Sequence, residues 1–262
     1  MAGRVVNTWA MTTIVPAWTG DVVAEQPYPM IFATVSGAHL YGFASVDSDV
    51  DLRGAHLLPP RELVGLRHGP ETLSHTGDRD GVELDLVTHD LAKSCRLLLR
   101  RSGDVLEQVT SPLVIHTTEV HAELLSLVPG CLSTGYADHY LGFATSSQLL
   151  FTKTGRLKAA LYLLRVLCTG LHLMRTGTVQ ADLTLLYGDC DLPYVPDLIA
   201  AKREGEHRVL GADAGLPDPD RILADTARLR EQLNQAKADA KLPAQPTAAD
   251  ALHDLVVRAR LG

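Results

Sequence analysis

The sequence predicts an α+β fold in which a mixed-sheet half is followed by a helical half, and three observations carry that expectation. Of the 262 residues, 46% are hydrophobic and 21% charged, enough for a packed core and incompatible with a disordered or fibrous chain. Between Met30 and Thr88 apolar residues recur with the period of a strand; beyond Thr88 they recur with the period of a helix. A net charge of -7 excludes a basic protein that coats nucleic acid and leaves room only for a local basic groove. Cys95, Cys131, Cys168 and Cys190 lie far apart without a C-x-x-C pair, so neither a zinc ribbon nor a disulfide framework is expected. Isolated cysteines fit a reducing compartment. No apolar run of bilayer length and no leader pattern stand out, so a cytoplasmic protein without a membrane partner is expected.

Residues before Met30 mix Trp9, Trp18, Pro16, Pro27 and Pro29 without a period and predict no element. Ile31 to Val35 has the length and β-branched character of a strand, and Ser36-Gly37-Ala38 suits a tight turn. Val46 to Leu52 alternates, with Val46, Ser48, Val50 and Leu52 on one face and Asp47, Asp49 and Asp51 on the other. A third strand after Gly81 puts Val82, Leu84 and Leu86 opposite Glu83 and Asp85. Leu91, Cys95, Leu98 and Leu99 then fall at helical spacing, Ser102-Gly103 stops that helix, and a short one opens near Asp104. Thr117 or Thr118 caps a helix that reaches Val128 and ends at Pro129-Gly130. Ala137 to Phe151 and Arg156 to Met174 are helical, the second so apolar that it must be mostly buried. Pro193 and Pro196 open a further segment, Asp218 to Lys241 reads as a solvated helix, and Pro243 to Pro246 is a hinge before a last short helix. No internal repeat is found, and the expected division is a catalytic domain over 1–115 and a helical domain over 116–262.

The chemistry concentrates behind the first turn. Asp49 and Asp51 share a face a dozen residues after Gly37, and acidic positions recur on the third strand, so three carboxylates can converge. Carboxylates two residues apart on a strand lie about 7 Å from each other, close enough to hold two Mg²⁺ ions about 3.5 to 4 Å apart. Without cations such a cluster repels itself and must share protons. Mg²⁺ takes one or two carboxylates together with substrate phosphates, which implies a nucleoside triphosphate. A glycine turn opening into a helix presents N–H groups to such phosphates.

The stretch SGAHLYGFASVDSDVDLRG, residues 36–54, resembles the nucleotidyltransferase superfamily of DNA polymerase β, and within it the RNA-repair-pathway polymerase-β family. Gly37, Tyr41-Gly42, Ser48-Asp49, Asp51 and Arg53-Gly54 fall on that family's G-S-x-x-Y-G…S-D-x-D-x-R-G pattern. The likeness continues through DLVTHDLAK (85–93), LEQVTSPLVI (106–115), HYLGFA (139–144) and LKAALYLLRVLCTGLHLMRTG (157–177), covering most of Met30 to about Arg208. It implies an enzyme that uses Mg²⁺, or Mn²⁺ in its place, to move a nucleoside monophosphate from an NTP such as ATP onto a hydroxyl. Pyrophosphate is released, and a short RNA end is one acceptor that the resemblance suggests. Asp49 and Asp51 would bind both metals, and Asp85 the one nearer the attacking hydroxyl. Glu83, two residues away on the same face, could substitute for Asp85, and Asp47 lies outside the motif.

Ser36, Gly37, Ala38 and Ser48 are the candidate phosphate contacts. Ala38 stands where the wider superfamily has a serine, so that hydroxyl's part would fall to Ser36 or Ser48. Arg53 either pairs with an aspartate or meets phosphate. Lys93 is a further candidate contact, as is the stripe Lys158, Tyr162 and Arg165, whose cations must reach either solvent or an anionic partner. His39 beside the turn reads as a local hydrogen-bonding group, and His89, His139 and His172 as ordinary polar positions. The alternative function is a nucleotide-binding regulatory module without turnover, which Ala38 keeps open.

Overall fold

The computed structural model describes residues 15–45, 47–204, 209–210 and 215–262. Helix α1 (Thr19–Ala24) precedes strand β1 (Met30–Val35), the short α2 (Gly37–Leu40) and strand β2 (Val50–His56). Then come α3 (Arg61–Val64), the hairpin β3 (Thr72–Arg79) and β4 (Val82–Asp90), helices α4 (Leu91–Leu99) and α5 (Gly103–Thr110), and β5 (Val114–His116). The rest is helical: α6 (Glu119–Cys131), α7 (Tyr136–Thr154), α8 (Leu157–Thr176), α9 (Leu183–Leu186), α10 (Val195–Arg203), α11 (Pro219–Asp239) and α12 (Ala249–Leu261). The α+β expectation therefore holds.

The five strands run in the order β3-β4-β2-β1-β5, with β2 and β4 parallel and every other pair antiparallel. One face is covered by Val22 and Val23 of α1, which pack on Ala33, Val35, Val50, Leu52, Leu84 and Leu86. On the other, Phe32 and Ala55 join one continuous apolar core with helices α4 to α8 and α10 to α12. The expected division at residue 115 falls inside β5, whose strand returns to pair with β1.

Helix α8 is the centre of that core. It is long and apolar enough to cross a membrane by length and composition, contrary to the reading of the sequence, yet 83% of that stretch is buried within the molecule. Each leucine it buries contributes about 1.5–3 kcal/mol, so α8 organises its neighbours α7, α9, α10 and α11. The solvated helix expected over Asp218 to Lys241 proves amphipathic: α11 buries Ile222, Leu229 and Leu233 against this core.

Several boundaries differ from expectation for local reasons. The strand expected from Val46 begins only at Val50; Asp47 to Asp49 precede it, and Val46 lies outside the described residues. Helix α6 runs through Pro129 to Cys131, and the proline, which leaves the Leu125 carbonyl without its i−4 donor, sits two residues before the helix stops. Its cap is Thr118, whose hydroxyl accepts from His121 N. Strand β3 has no apolar period and was not foreseen. Its signal is the two-residue turn Asp80-Gly81, both at positive φ, the geometry that Asp-Gly supplies in a tight hairpin.

Candidate active site

Parallel pairing of β2 with β4 sets Asp51 directly beside Asp85, Arg53 beside Val87 and Ala55 beside His89. Odd-numbered residues of both strands share the face that packs on the helices, since Leu52, Leu84 and Leu86 point to α1. Ala55 is sealed in the helical core, whereas Asp51, Arg53 and Asp85 lie where that face opens.

Arg53 lies between the two carboxylates. Its Nη2 donates to Asp51 Oδ1 and to Asp85 Oδ2, both at 2.8 Å, while Nη1 donates to the carbonyls of Leu52 (2.9 Å) and Asp85 (2.6 Å). Burial raises the Asp51 pKa, Arg53 opposes that rise, and the charges of Asp49 and Asp85 add to it. Asp49 therefore acts on Asp51 although it lies before the strand rather than on it. Among the described residues no three His, Cys, Asp or Glu side chains are gathered as ligands.

Gly37 fixes the opposite wall. Its φ is +61°, and a Cβ there would lie 1.8 Å from Asp51 Oδ2, so any side chain would collide with the carboxylate. Ser36 N donates to the Asp51 carbonyl at 2.8 Å, stitching the turn to β2. Together Ser36, Gly37, Tyr41, Asp51, Arg53, His89, Lys93, Ser102, Gln108 and Tyr162 line a cleft of ≈ 550 Å³.

His89 repeats the spacing of Asp85 along β4, a signal that placed it on the same face, although the sequence reading assigned it no role. Its Nδ1 lies 3.1 Å from Thr72 Oγ1, which also receives a hydrogen bond from Lys93 Nζ. Burial, followed by the charges of Lys93, His56 and Arg53, pushes the His89 pKa down to about 4, so the ring is neutral at physiological pH.

The profile of the RNA repair pathway DNA polymerase beta family matches residues 19–258. The chain belongs to that family. It is 28% identical over 164 residues to uncharacterized protein MJ0002 of Methanocaldococcus jannaschii, covering 62% of this chain and 66% of that one, just under two thirds of the relative's length. It is 27% identical over 237 residues to uncharacterized protein YcgL of Bacillus subtilis, covering 83% of this chain and 86% of the relative. Among solved structures, a nucleotidyltransferase-like protein from Exiguobacterium sibiricum aligns over 85% of this chain and 72% of that one, at 12% identity and a TM-score of 0.32.

Not every candidate of the family motif reaches the cleft. Ala38 is 2% exposed and packs in the apolar core, so its methyl group faces away from any ligand. Ser48 is also buried: its hydroxyl accepts from Ser45 N (2.9 Å) and from Lys202 Nζ (2.9 Å), which leaves it to shape the loop. Arg165 is 1% exposed and meets neither solvent nor cleft. Its anionic partner is internal: Nη1 donates to both Glu107 oxygens at 2.7 Å, and the guanidinium stacks 3.8 Å from the centroid of Tyr41. Lys158 acts electrostatically on Asp51, and Tyr162 meets Tyr41 edge-on.

Lys202 was missed by the sequence reading. Helix α10 carries it, fully buried, to Ser45 Oγ (2.7 Å) and Ser48 Oγ, so the helical half holds the loop that delivers Asp49. Nothing in the local sequence marks it, because its partners lie more than 150 positions away. His39 lies against the Ser48–Asp49 backbone, and burial lowers its pKa.

Proposed function

We propose that this chain transfers a nucleoside monophosphate from an NTP to a hydroxyl with release of pyrophosphate, in a cytoplasmic setting and with Mg²⁺ as cofactor. The observation that supports this most is the register that pairs Asp51 with Asp85 in front of the Gly37 turn.

The residues fit a divalent cation. Both carboxylates hold one nitrogen at 2.8 Å, so their nearer oxygens are at most about 5.6 Å apart (twice 2.8 Å), and a modest closing brings them to Mg²⁺ distance. Asp51 and Asp85 would hold it, and Asp49 would add a third carboxylate. When bound, Mg²⁺ eases deprotonation of the attacking hydroxyl and offsets charge on the departing pyrophosphate. Ser36 and the Gly37 turn would border the phosphates, with Arg53 and Lys93 supplying donors and positive charge and the neutral His89 ring beside them. Tyr162, half-buried beside Tyr41, offers a ring on which a base can stack. The acceptor oxygen forms its bond to the α-phosphorus, the α–β bridging bond breaks, and the hydroxyl proton goes to solvent. The family's RNA-repair description makes a short RNA end the acceptor to try first.

The test is pyrophosphate release from each NTP with Mg²⁺ and candidate acceptors. Asp85→Asn should lose about a hundredfold or more, equivalent to about 2.7 kcal/mol of barrier. Glu83→Gln should retain wild-type turnover, since Glu83 is exposed on β4. Absence of release with every nucleotide and acceptor would leave the nucleotide-binding module instead.

A further inference from the structure

We infer that Arg53 holds the cation's place between Asp51 and Asp85 and yields it only when a triphosphate offers its guanidinium another anion, so that metal and nucleotide are taken up together. This rests on the proposed nucleotidyltransfer chemistry and concerns what the chain does before that chemistry begins.

The Asp-x-Asp-x-Arg spacing puts Arg53 one rung beyond Asp51 on the same face of β2. From there four hydrogen bonds tie it to its own strand pair, two of them through a single nitrogen shared by the two carboxylates. Parallel register would otherwise force two like charges together, and the guanidinium between them offsets part of that repulsion. A divalent cation bridging the two carboxylates would take the place that Arg53 now fills between them. Guanidinium and metal at that point repel each other, so the metal is favoured once the guanidinium moves aside.

Arg53 has somewhere to go. It lines the cleft alongside Lys93, His89 and the Gly37 turn, where phosphate oxygens would sit under the proposed function. A guanidinium matches phosphate with the paired geometry it uses on carboxylates, so triphosphate binding compensates the bonds it gives up. Metal and nucleotide then raise each other's affinity by the same factor, as linkage requires.

The experiment is Mn²⁺ titration of the full chain by calorimetry, with and without an NTP analogue blocked between the α- and β-phosphates. Without nucleotide, Arg53→Gln should bind Mn²⁺ about tenfold more tightly than wild type, and the gain in Mn²⁺ affinity on adding the analogue should be smaller than in wild type. Lys93→Gln removes a neighbouring positive charge whose ammonium bonds Thr72 rather than the carboxylates, and should change nucleotide-free Mn²⁺ binding little. Arg53→Lys, which keeps the charge but loses the fork, should fall between wild type and Arg53→Gln and serves if the glutamine variant does not fold. Arg53→Gln or Arg53→Lys no tighter than wild type for Mn²⁺ would overturn the inference. So would an equal gain in Lys93→Gln, which would show a general field effect. Pyrophosphate release alongside either result would leave the proposed function standing, whereas no Mn²⁺ binding by any variant, with no release, would remove both.

Discussion

The molecule contains two arginine–carboxylate clusters that begin from the same chemistry and end in opposite roles. Glu107 and Arg165 are 2% and 1% exposed, with Tyr140 OH donating to Glu107 at 3.1 Å and Tyr41 stacked on the guanidinium. Asp51, Arg53 and Asp85 are 18%, 18% and 35% exposed, and Asp51 and Arg53 line the cleft. The buried pair takes its ionic, hydroxyl and ring partners from within, so nothing from solvent can compete for it. In the open trio, one cation is shared between two carboxylates, and solvent reaches all three side chains. Where each cluster lies, rather than what it is made of, separates scaffold from candidate site.

Three measurements bear on this contrast. The largest effect belongs to the buried pair. Arg165→Met leaves Glu107 charged, buried and unpaired, and should cost about 3–5 kcal/mol of unfolding free energy. Thermal unfolding of Arg165→Met beside the double variant with Glu107→Gln checks it, the double variant recovering much of the loss. If the single variant melts like wild type, the pair is not structural and the contrast fails.

Lys202→Met comes next. It should cost about 1 kcal/mol of stability, yet weaken Mn²⁺ binding about tenfold by loosening the loop that carries Asp49. Calorimetry and melting on one sample separate the two effects.

The smallest effect is a pH slope. With its folded pKa at about 4, His89 stays neutral in the native state while the unfolded chain takes up a proton near the ordinary histidine value of 6.5. Stability is thus fully present above pH 6.5 and is lost as pH falls toward 4. Urea midpoints at pH 7 and pH 5 should diverge more for wild type than for His89→Gln. Equal divergence would place the proton uptake elsewhere, for instance at His56 or His121, whose pKa values are also lowered by burial.

Much of the open site is legible in the sequence because it is written in short-range spacing. Gly37, Asp51, Arg53 and Asp85 sit on two strands and a turn whose periods are visible, and the register sets Asp85 rather than Glu83 beside Asp51. The alternation of Asp47, Asp49 and Asp51 overshot, because a polar turn can imitate a strand for a few residues before pairing begins at Val50. The buried cluster was not legible. Arg165 lies at helical spacing from Lys158 and Tyr162 and looks like part of a ligand-facing stripe, yet its partner Glu107 is 58 positions away on α5. Lys202 escaped notice for the same reason. A cation inside an apolar helix announces that it has an anion, without saying where in the chain that anion resides.

Asp90 closes β4 five residues after Asp85 and divides one carboxylate among three elements. Its Oδ2 accepts from Leu58 N at 3.1 Å, and its Oδ1 from Ala92 N at 3.0 Å and from Arg260 Nη2 at 2.5 Å, across 170 positions of chain. The last turn of α12 is thereby fastened to the strand that carries Asp85. Wear at that fastening would be felt at the far end of β4, so a screen for weakened variants should return hits in the final helix, remote from the cleft, with Arg260 foremost.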